Sequence, residues 1–341
     1  GQSGPPAGGN DSRTLVLATV RSEDTSWVQS ELGGLLASGQ LDTAVYHMDD
    51  PSQPLHPIAN KGNEAMAYLT YLIEFYDALP AVVVFLHAHR YAWHTDALFD
   101  TDAATVVRRL SLARVRRDGY MNLRCQWDPG CPRWMHPGAT DDAAHKPEQA
   151  LLGRVWRELF PGAGDAPAVL AQACGAQFAV SRERVRAVPR ARYEALRDWL
   201  LYTKVPTRLA GRVFEYVWQY LFTGEAVFCP TMDECYCDGF GACFGGIEGL
   251  DGWFEVRYRR HQFSLELNQK RRELVGRNRK QDHPADPPDA SLPDRIAWLE
   301  REIPQLDTEM DRQKEDAFRA GRDPRVRARA AAREWKEGDG F

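Results

Sequence analysis

The chain has 341 residues, with 43 Lys and Arg against 48 Asp and Glu for a net charge of −5, and 43% of its residues are hydrophobic. That length and composition describe a folded protein with one large core and an appendage, or two modest domains. The charge is uneven: Lys and Arg are outnumbered 23 to 31 before Arg257 and lead 20 to 17 from there on. An acidic body is a poor match for nucleic acid, and no apolar run approaches the ~20 residues that span a bilayer, so neither partner is expected.

Residues 1–13, rich in Gly and Pro, are expected to be a flexible linker. A strand is predicted over 14–20, a helix over 26–37, and a strand over 43–47 that runs into Asp49, Asp50 and Pro51. The segment Asn60-Lys61-Gly62-Asn63 caps an amphipathic helix over 64–76, and Leu79-Pro80 leads into the strand-like run AVVVFLHAHRYAWH at 81–94. Strand, helix, strand, helix, strand within 80 residues predicts right-handed crossovers and a mainly parallel sheet, the pattern of a nucleotide-binding half.

Further on, helices are predicted over 105–112, 148–160, 191–202 and 208–222, and strands over 120–123 and 177–180. Ser181 reads as an N-cap for a short helix over 184–188. A cysteine-rich loop at 229–243 ends the compact body, so an α/β domain is expected over 14–256 and a charged helical extension over 257–341. Within the extension, residues 281–291 read as a linker. Ile296, Leu299, Ile303, Leu306 and Met310 form a heptad seam that Pro304 is expected to kink or divide. Such helices would pack on their own body or mediate dimerisation.

Six of the seven cysteines, Cys125, Cys131, Cys229, Cys235, Cys237 and Cys243, lie in short loops with Pro and Gly, which suits disulfides. An all-thiolate zinc site is the alternative for the last four, though their spacing lacks paired CxxC knuckles. Cys174 is left as a buried free thiol. With a glycosylation sequon at Asn10, these cysteines favour a secreted or Golgi or ER lumenal protein whose leader has been removed.

Three histidines within eight residues mark the candidate site. On a strand, His87 and His89 share a face and could chelate one cation, with His94 returning from the following turn and Asp49 adding a carboxylate. Asp50, on the same turn, is a candidate catalytic carboxylate, although an Asp-Pro turn explains both aspartates equally well. Asn60, Lys61 and Glu64 open a helix whose N-terminus attracts anions, and Arg90 offers a bidentate cation or a plain salt bridge. Tyr91 and Trp93 present rings on which a sugar could stack. Glu215, between Phe214 and Trp218, is the candidate acid or base because burial among aromatics raises a carboxyl pKa. Gln177, Ser181, Arg182 and Trp218 complete the set of candidate substrate contacts. No GxSxG, P-loop, GxGxxG or HExxH occurs, which sets aside α/β-hydrolases, P-loop nucleotidases, typical dehydrogenases and zincin proteases.

The blocks NKGNEAMAYLTYLIEFYDALPAVVVFLHAHRYAWH, GYMNLRC, PGCP, CGAQFAVSRERV, FEYVWQYLF and CYCDGFGACFGG together resemble a largely fungal family known only as a domain of unknown function. Their order is also similar, more distantly, to GT-A-type glycosyltransferases. That resemblance implies a Rossmann-type sheet for nucleotide-diphospho-sugars, a nucleotide-sugar donor, a carbohydrate substrate and a functional glutamate on a late helix, matched here by Glu215. Where such enzymes carry Asp-x-Asp, this chain has His87-Ala88-His89, so the cation expected is manganese, with zinc as the alternative. The function expected is a metal-dependent glycosyltransferase-like enzyme. Cleavage of a glycan on the same fold and a non-catalytic carbohydrate-binding module are the alternatives.

Overall fold

The computed structural model describes residues 12–142, 144–280 and 291–337, so the Asn10 sequon and nearly all of the expected linkers lie outside it. The chain divides into two compact units, one ending at Cys235 and the other beginning at Tyr236.

The first unit opens with β1 (Arg13–Thr19), α1 (Trp27–Ala37), β2 (Asp42–His47), α2 (Glu64–Glu74) and β3 (Val82–His87). There follow α3 (Ala103–Arg109), α4 (Leu112–Asp118), β4 (Tyr120–Asn122), α5 (Glu148–Leu159), β5 (Ala171–Gln172) and β6 (Phe178–Ser181). It closes with α6 (Arg182–Ala187), α7 (Arg190–Tyr202), α8 (Thr207–Glu215), α9 (Trp218–Thr223), β7 (Val227–Phe228) and the start of α10 (Met232–Phe240). Five strands form one sheet in the order β2-β1-β3-β6-β4, and β5 pairs with β7 in a small second sheet.

β1, β2 and β3 are parallel, as the alternation of strands and helices predicts. β6 runs antiparallel to both β3 and β4, so it is the one reversed strand of the five. The near-continuous apolar runs of β1 and β3 follow from burial on both faces. On one face Val83, Phe85, Phe178 and Val180 join a core with residues of α2, α5, α7, α8 and α9. In it Tyr68, Phe85, Phe178 and Trp218 pack at centroid distances of 4.6–6.1 Å. Burial of each ring contributes about 2–3 kcal/mol. α2, predicted amphipathic, is buried at every position from Ala65 to Ile73, which suits its place between sheet and outer helices.

Several elements break where the sequence reads as continuous. The helix expected over 105–112 is two, because Ser111 accepts a hydrogen bond from the Arg114 amide and caps a new start. The helix expected over 208–222 stops at Glu215 and restarts at Trp218. The cysteine-rich segment holds α10 rather than an open loop. The strand carrying the histidines ends at His87, which leaves His89 and His94 on a connecting loop.

In the second unit α11 (Ile247–Lys280) and α12 (Ser291–Ala320) form a helical hairpin, followed by α13 (Pro324–Ala330). Leu267 of α11 packs with Leu292, Ile296 and Leu299 of α12, which covers the first half of the predicted seam within one chain. Pro304 does not divide α12, which runs unbroken through it.

The six expected cysteines are all bridged, as Cys125–Cys235, Cys131–Cys229 and Cys237–Cys243, and Cys174 is free and buried. Bridges of this number fit an oxidising compartment. Among the described residues no helix is long and apolar enough to cross a membrane.

Candidate functional site

The antiparallel course of β6 decides what meets the histidines. Phe85 pairs with Phe178 and Val82 with Ser181, so continuing the register sets His87 beside Ala176, at the carboxyl end of β3. Ser181 and Arg182 fall at the opposite end of the sheet. There Ser181 caps α6, and Arg182 donates to the carbonyls of Leu79 and Pro80. The sequence groups Gln177, Ser181 and Arg182 together; strand direction separates them, and only Gln177 reaches the histidine end.

At that end the rings of His87 and His94 meet edge to face at 4.5 Å between centroids. Burial pushes the His87 pKa down to about 4 and that of His94 to about 3, the latter helped by His87 and the Arg124 guanidinium. Both imidazoles are therefore neutral at neutral pH. His89 turns away, 57% exposed, with Nε2 3.2 Å from Oε1 of Glu23.

The loop from Gln172 to Gln177 passes directly beside this pair. Its backbone is held by β4: Asn122 donates to the Ala173 carbonyl at 2.8 Å, and Tyr120 donates to the Gln172 side-chain carbonyl at 2.8 Å. Gly175, at φ 100°, lies against both His94 and the Gln177 amide, where an added Cβ would stand 3.7 Å from His94 Cδ2 and 3.4 Å from Gln177 Nε2. Its amide donates to Oε1 of Glu215 at 3.1 Å, and Gln172 Nε2 donates to the Glu215 carbonyl. The last residue of α8 is thus anchored through backbone and side chain to the loop that carries Gly175.

Glu215 and Glu64 are close enough to repel. Burial first, then the Glu64 charge, pushes the Glu215 pKa up to about 7, opposed by Arg212; burial likewise raises Glu64 to about 7. Gly211 permits this approach of α8 to the start of α2, because a Cβ there would lie 2.5 Å from Asn63 Nδ2 and 3.0 Å from the Gly62 carbonyl oxygen. Arg212 is itself engaged at 2.7 Å with the fully buried Glu148.

Trp93 is 71% exposed, perpendicular to the His94 ring at 5.5 Å and with the Arg124 guanidinium 5.7 Å from its ring centroid. Tyr91 is 59% exposed nearby in sequence. Trp218, by contrast, is fully buried in the aromatic core and faces no ligand.

The remaining candidates are occupied elsewhere. Asp49 accepts from the Arg21 amide at 3.0 Å, and Asp50 accepts from Ser52 and Gln53 and pairs with Arg21 at 3.2 Å. Those bonds hold the Asp50 carboxyl far below the usual range. Lys61 donates to the carbonyls of Leu201 and Thr203 at the end of α7, and Asn60 is exposed. Arg90 is shared between Glu31 at 2.6 Å and Asp102 at 2.9 Å. The ligand set read from the sequence does not converge: two imidazoles meet, the third faces Glu23, and Asp49 holds backbone. Among the described residues no three His, Cys, Asp or Glu side chains are placed to share a metal ion.

Arg124, Gly175 and Cys174 belong to this neighbourhood but carry no signal in the sequence beyond adjacency to a strand end. Burial pushes the Cys174 thiol up to about 11, so it is no nucleophile. Gly130, in the first cysteine loop, supports the same segment. At φ 133° its Cβ would collide with the Gln172 carbonyl and stand 2.7 Å from the Cys174 amide. Gly130→Ala is expected to cost about 3 kcal/mol in urea unfolding, through overpacking against backbone that cannot move aside.

The fold and site together define an α/β protein in which Glu215, His94 and Gln177 border Gly175, and His87 meets His94, at the carboxyl edge of a mostly parallel sheet. The chain belongs to the family described as a protein of unknown function (DUF3431), whose profile matches residues 15–238. No curated protein and no solved structure matches it.

Proposed function

We propose that this chain is a carbohydrate-active enzyme of the secretory pathway, secreted or held in the Golgi or ER lumen, in which Glu215 moves the proton of a glycosyl transfer. The observation that carries this reading is the half-buried Glu215 carboxyl, held by the Gly175 amide that also lies against His94, with the exposed Trp93 indole on the far side of that imidazole. A carboxyl with a pKa near 7 both holds and releases a proton at neutral pH, which is what general acid–base catalysis requires. Trp93 supplies the flat apolar surface on which the C–H face of a sugar ring packs.

The resemblance to GT-A glycosyltransferases favours transfer from a nucleotide-sugar to a carbohydrate acceptor, and a site beyond the carboxyl ends of parallel strands supports it. Manganese or zinc would neutralise the leaving diphosphate in that chemistry. The residues expected to hold the cation do not converge on one. Glu64 beside Glu215 favours a second reading, transfer to water, because paired carboxyl groups are the usual machinery of glycoside cleavage.

Calorimetry with UDP- and GDP-sugars, with and without manganese, together with turnover assays on polysaccharides with and without a chelator, tests both. Trp93→Ala is expected to weaken carbohydrate binding at least tenfold, and Glu215→Gln to lower turnover by about 10²–10⁴-fold while binding persists. Binding that persists in Glu215→Gln without any turnover in the native chain would leave a binding module. No binding of any carbohydrate or nucleotide-sugar would remove the reading.

A further inference from the structure

α11 carries apolar side chains on two opposite faces, although a helix on a protein surface ordinarily has one apolar stripe and a polar back. The inner face is buried. Leu250 and Trp253 are fully covered, Trp253 Nε1 donates to the Met310 carbonyl at 3.2 Å, Arg260 pairs with Asp307 at 2.8 Å, and Leu267 packs with Leu292, Ile296 and Leu299 of α12. On the outer face Ile247, Tyr258 and Leu265 are 45–63% exposed. Their steps of 11 and 7 residues are close to whole turns, so the three form one stripe, and Leu267, nine residues beyond Tyr258, points half a turn away from it.

The outer stripe is complementary to itself when reversed. Asp251, Tyr258, Leu265 and Arg272, all exposed, stand seven residues apart, about 10.5 Å along the axis for each step. Turned end for end about the midpoint of Tyr258 and Leu265, the series Asp-Tyr-Leu-Arg meets its own copy as Asp on Arg, Tyr on Leu, Leu on Tyr and Arg on Asp. Further out, Ile247 comes level with Gly276, each 11 residues from the central pair. A hollow of about 480 Å³ opens there beside Arg272, Val275 and Gly276, and no atom lies within 4 Å of where a Cβ on Gly276 would stand. A parallel copy would instead set Asp251 on Asp251 and Arg272 on Arg272, which like charge opposes.

We propose that the outer face of α11 is the interface of an antiparallel homodimer, with Tyr258 and Leu265 of both copies at its centre, an Asp251–Arg272 pair toward each end, and Ile247 of each copy seated in the hollow beside Gly276 of the other. The apolar centre supplies the attraction, and the charged ends select the direction. The seam on α12 that the sequence offers for association is spent in part inside the hairpin, so the face left for a second copy belongs to α11. This inference is independent of the chemistry assigned to the first unit.

Sedimentation equilibrium of the full chain over a concentration series reads the dimer directly. One helix per copy makes a small interface, so the native chain is expected to dimerise with a Kd on the order of 10 µM. Leu265→Asp and Tyr258→Ser are each expected to weaken association about tenfold or more, with the thermal midpoint of the dilute chain unchanged because both side chains are exposed in the monomer. Asp251→Arg alone and Arg272→Asp alone are expected to weaken it about three- to tenfold. Both exchanges in one chain should restore the native constant, since Arg-Tyr-Leu-Asp is again complementary to its own reverse. Should either central variant lower the thermal midpoint, the charge exchange decides alone.

A chain that stays monomeric throughout the series would overturn the proposal, and flotation of that monomer with phosphatidylserine vesicles would make the face a lipid contact instead. A dimer untouched by both central variants would place the interface elsewhere. Single exchanges without effect, or a double exchange no tighter than either single one, would overturn the antiparallel pairing.

Discussion

Replacing Cys125, Cys131, Cys229 and Cys235 together with serine is expected to destabilise the chain by about 8 kcal/mol, comparable with the whole stability of an ordinary domain. Either bridge alone closes a loop of 98 or 110 residues, worth about 4.7 kcal/mol of unfolded-chain entropy. The two are nested, with Cys125 six residues before Cys131 and Cys229 six before Cys235. Once one is closed, the other closes a ring of only about a dozen residues, worth about 3 kcal/mol. Loss of a single bridge should therefore cost about 3 kcal/mol, and loss of both more than twice that. Urea unfolding of the native chain, the two single-bridge variants and the four-serine variant under non-reducing conditions checks it. A four-serine variant no weaker than either single-bridge variant would contradict the nested pairing.

The second large effect concerns Glu215. Its carboxyl is raised from 4.5 to about 7 in the fold, so between those values the folded chain holds more protons than the unfolded one. Stability therefore falls as pH rises through that window, and the full cost of the buried charge is present above about pH 7. Glu64, raised to about 7, acts in the same direction, whereas Arg212 opposes it and Glu148 adds to it. Glu215→Gln removes the ionisation and is expected to stabilise the chain at pH 8 by on the order of 2 kcal/mol, with no gain at pH 4. Thermal unfolding at both values decides it. An equal effect at the two values would mean that the side chain acts through packing rather than charge. The same variant is the inactive one under the proposed chemistry, so greater stability with lost turnover is the combined signature of a functional carboxyl.

Much of the first unit was legible because local periodicity reports local structure. β1 and β2, with α1 and α2, lie within a residue or two of their predicted bounds, β3 starts one residue after the predicted run, and the alternation of strand and helix implied the parallel core. The identity of the free thiol was also readable, since Cys174 alone sits outside the Pro- and Gly-rich loops. Periodicity failed where a single side chain redirects the backbone, as Ser111 does between α3 and α4. It failed again at His87, where AVVVFLHAHRYAWH keeps its apolar character after the last ladder pairing.

Residue type and neighbourhood single out Glu215, His87, His94, Gln177, Glu64 and Trp93, which the structure links through successive contacts. Asp49, Asp50, Lys61, Arg90 and Trp218 were named on the same grounds, and the structure occupies each with a partner inside the fold. Nothing in a one-dimensional pattern distinguishes an aspartate that holds a loop from one that faces a ligand. That difference lies in which distant donors arrive beside it, such as the Arg21 amide at Asp49.

By itself the sequence determined the class of fold, the number of bridged cysteines and the segment that carries the histidines, because these depend on residue type and short-range spacing. Only the tertiary structure decided that β6 runs backwards, that His94 rather than His89 meets His87, that Cys125 pairs with Cys235, and that Gly211 lets Glu215 approach Glu64. Each of these is a contact between segments far apart in the chain. Such contacts are selected by packing and backbone pairing across the whole core, and the spacing of residues along the chain does not encode them.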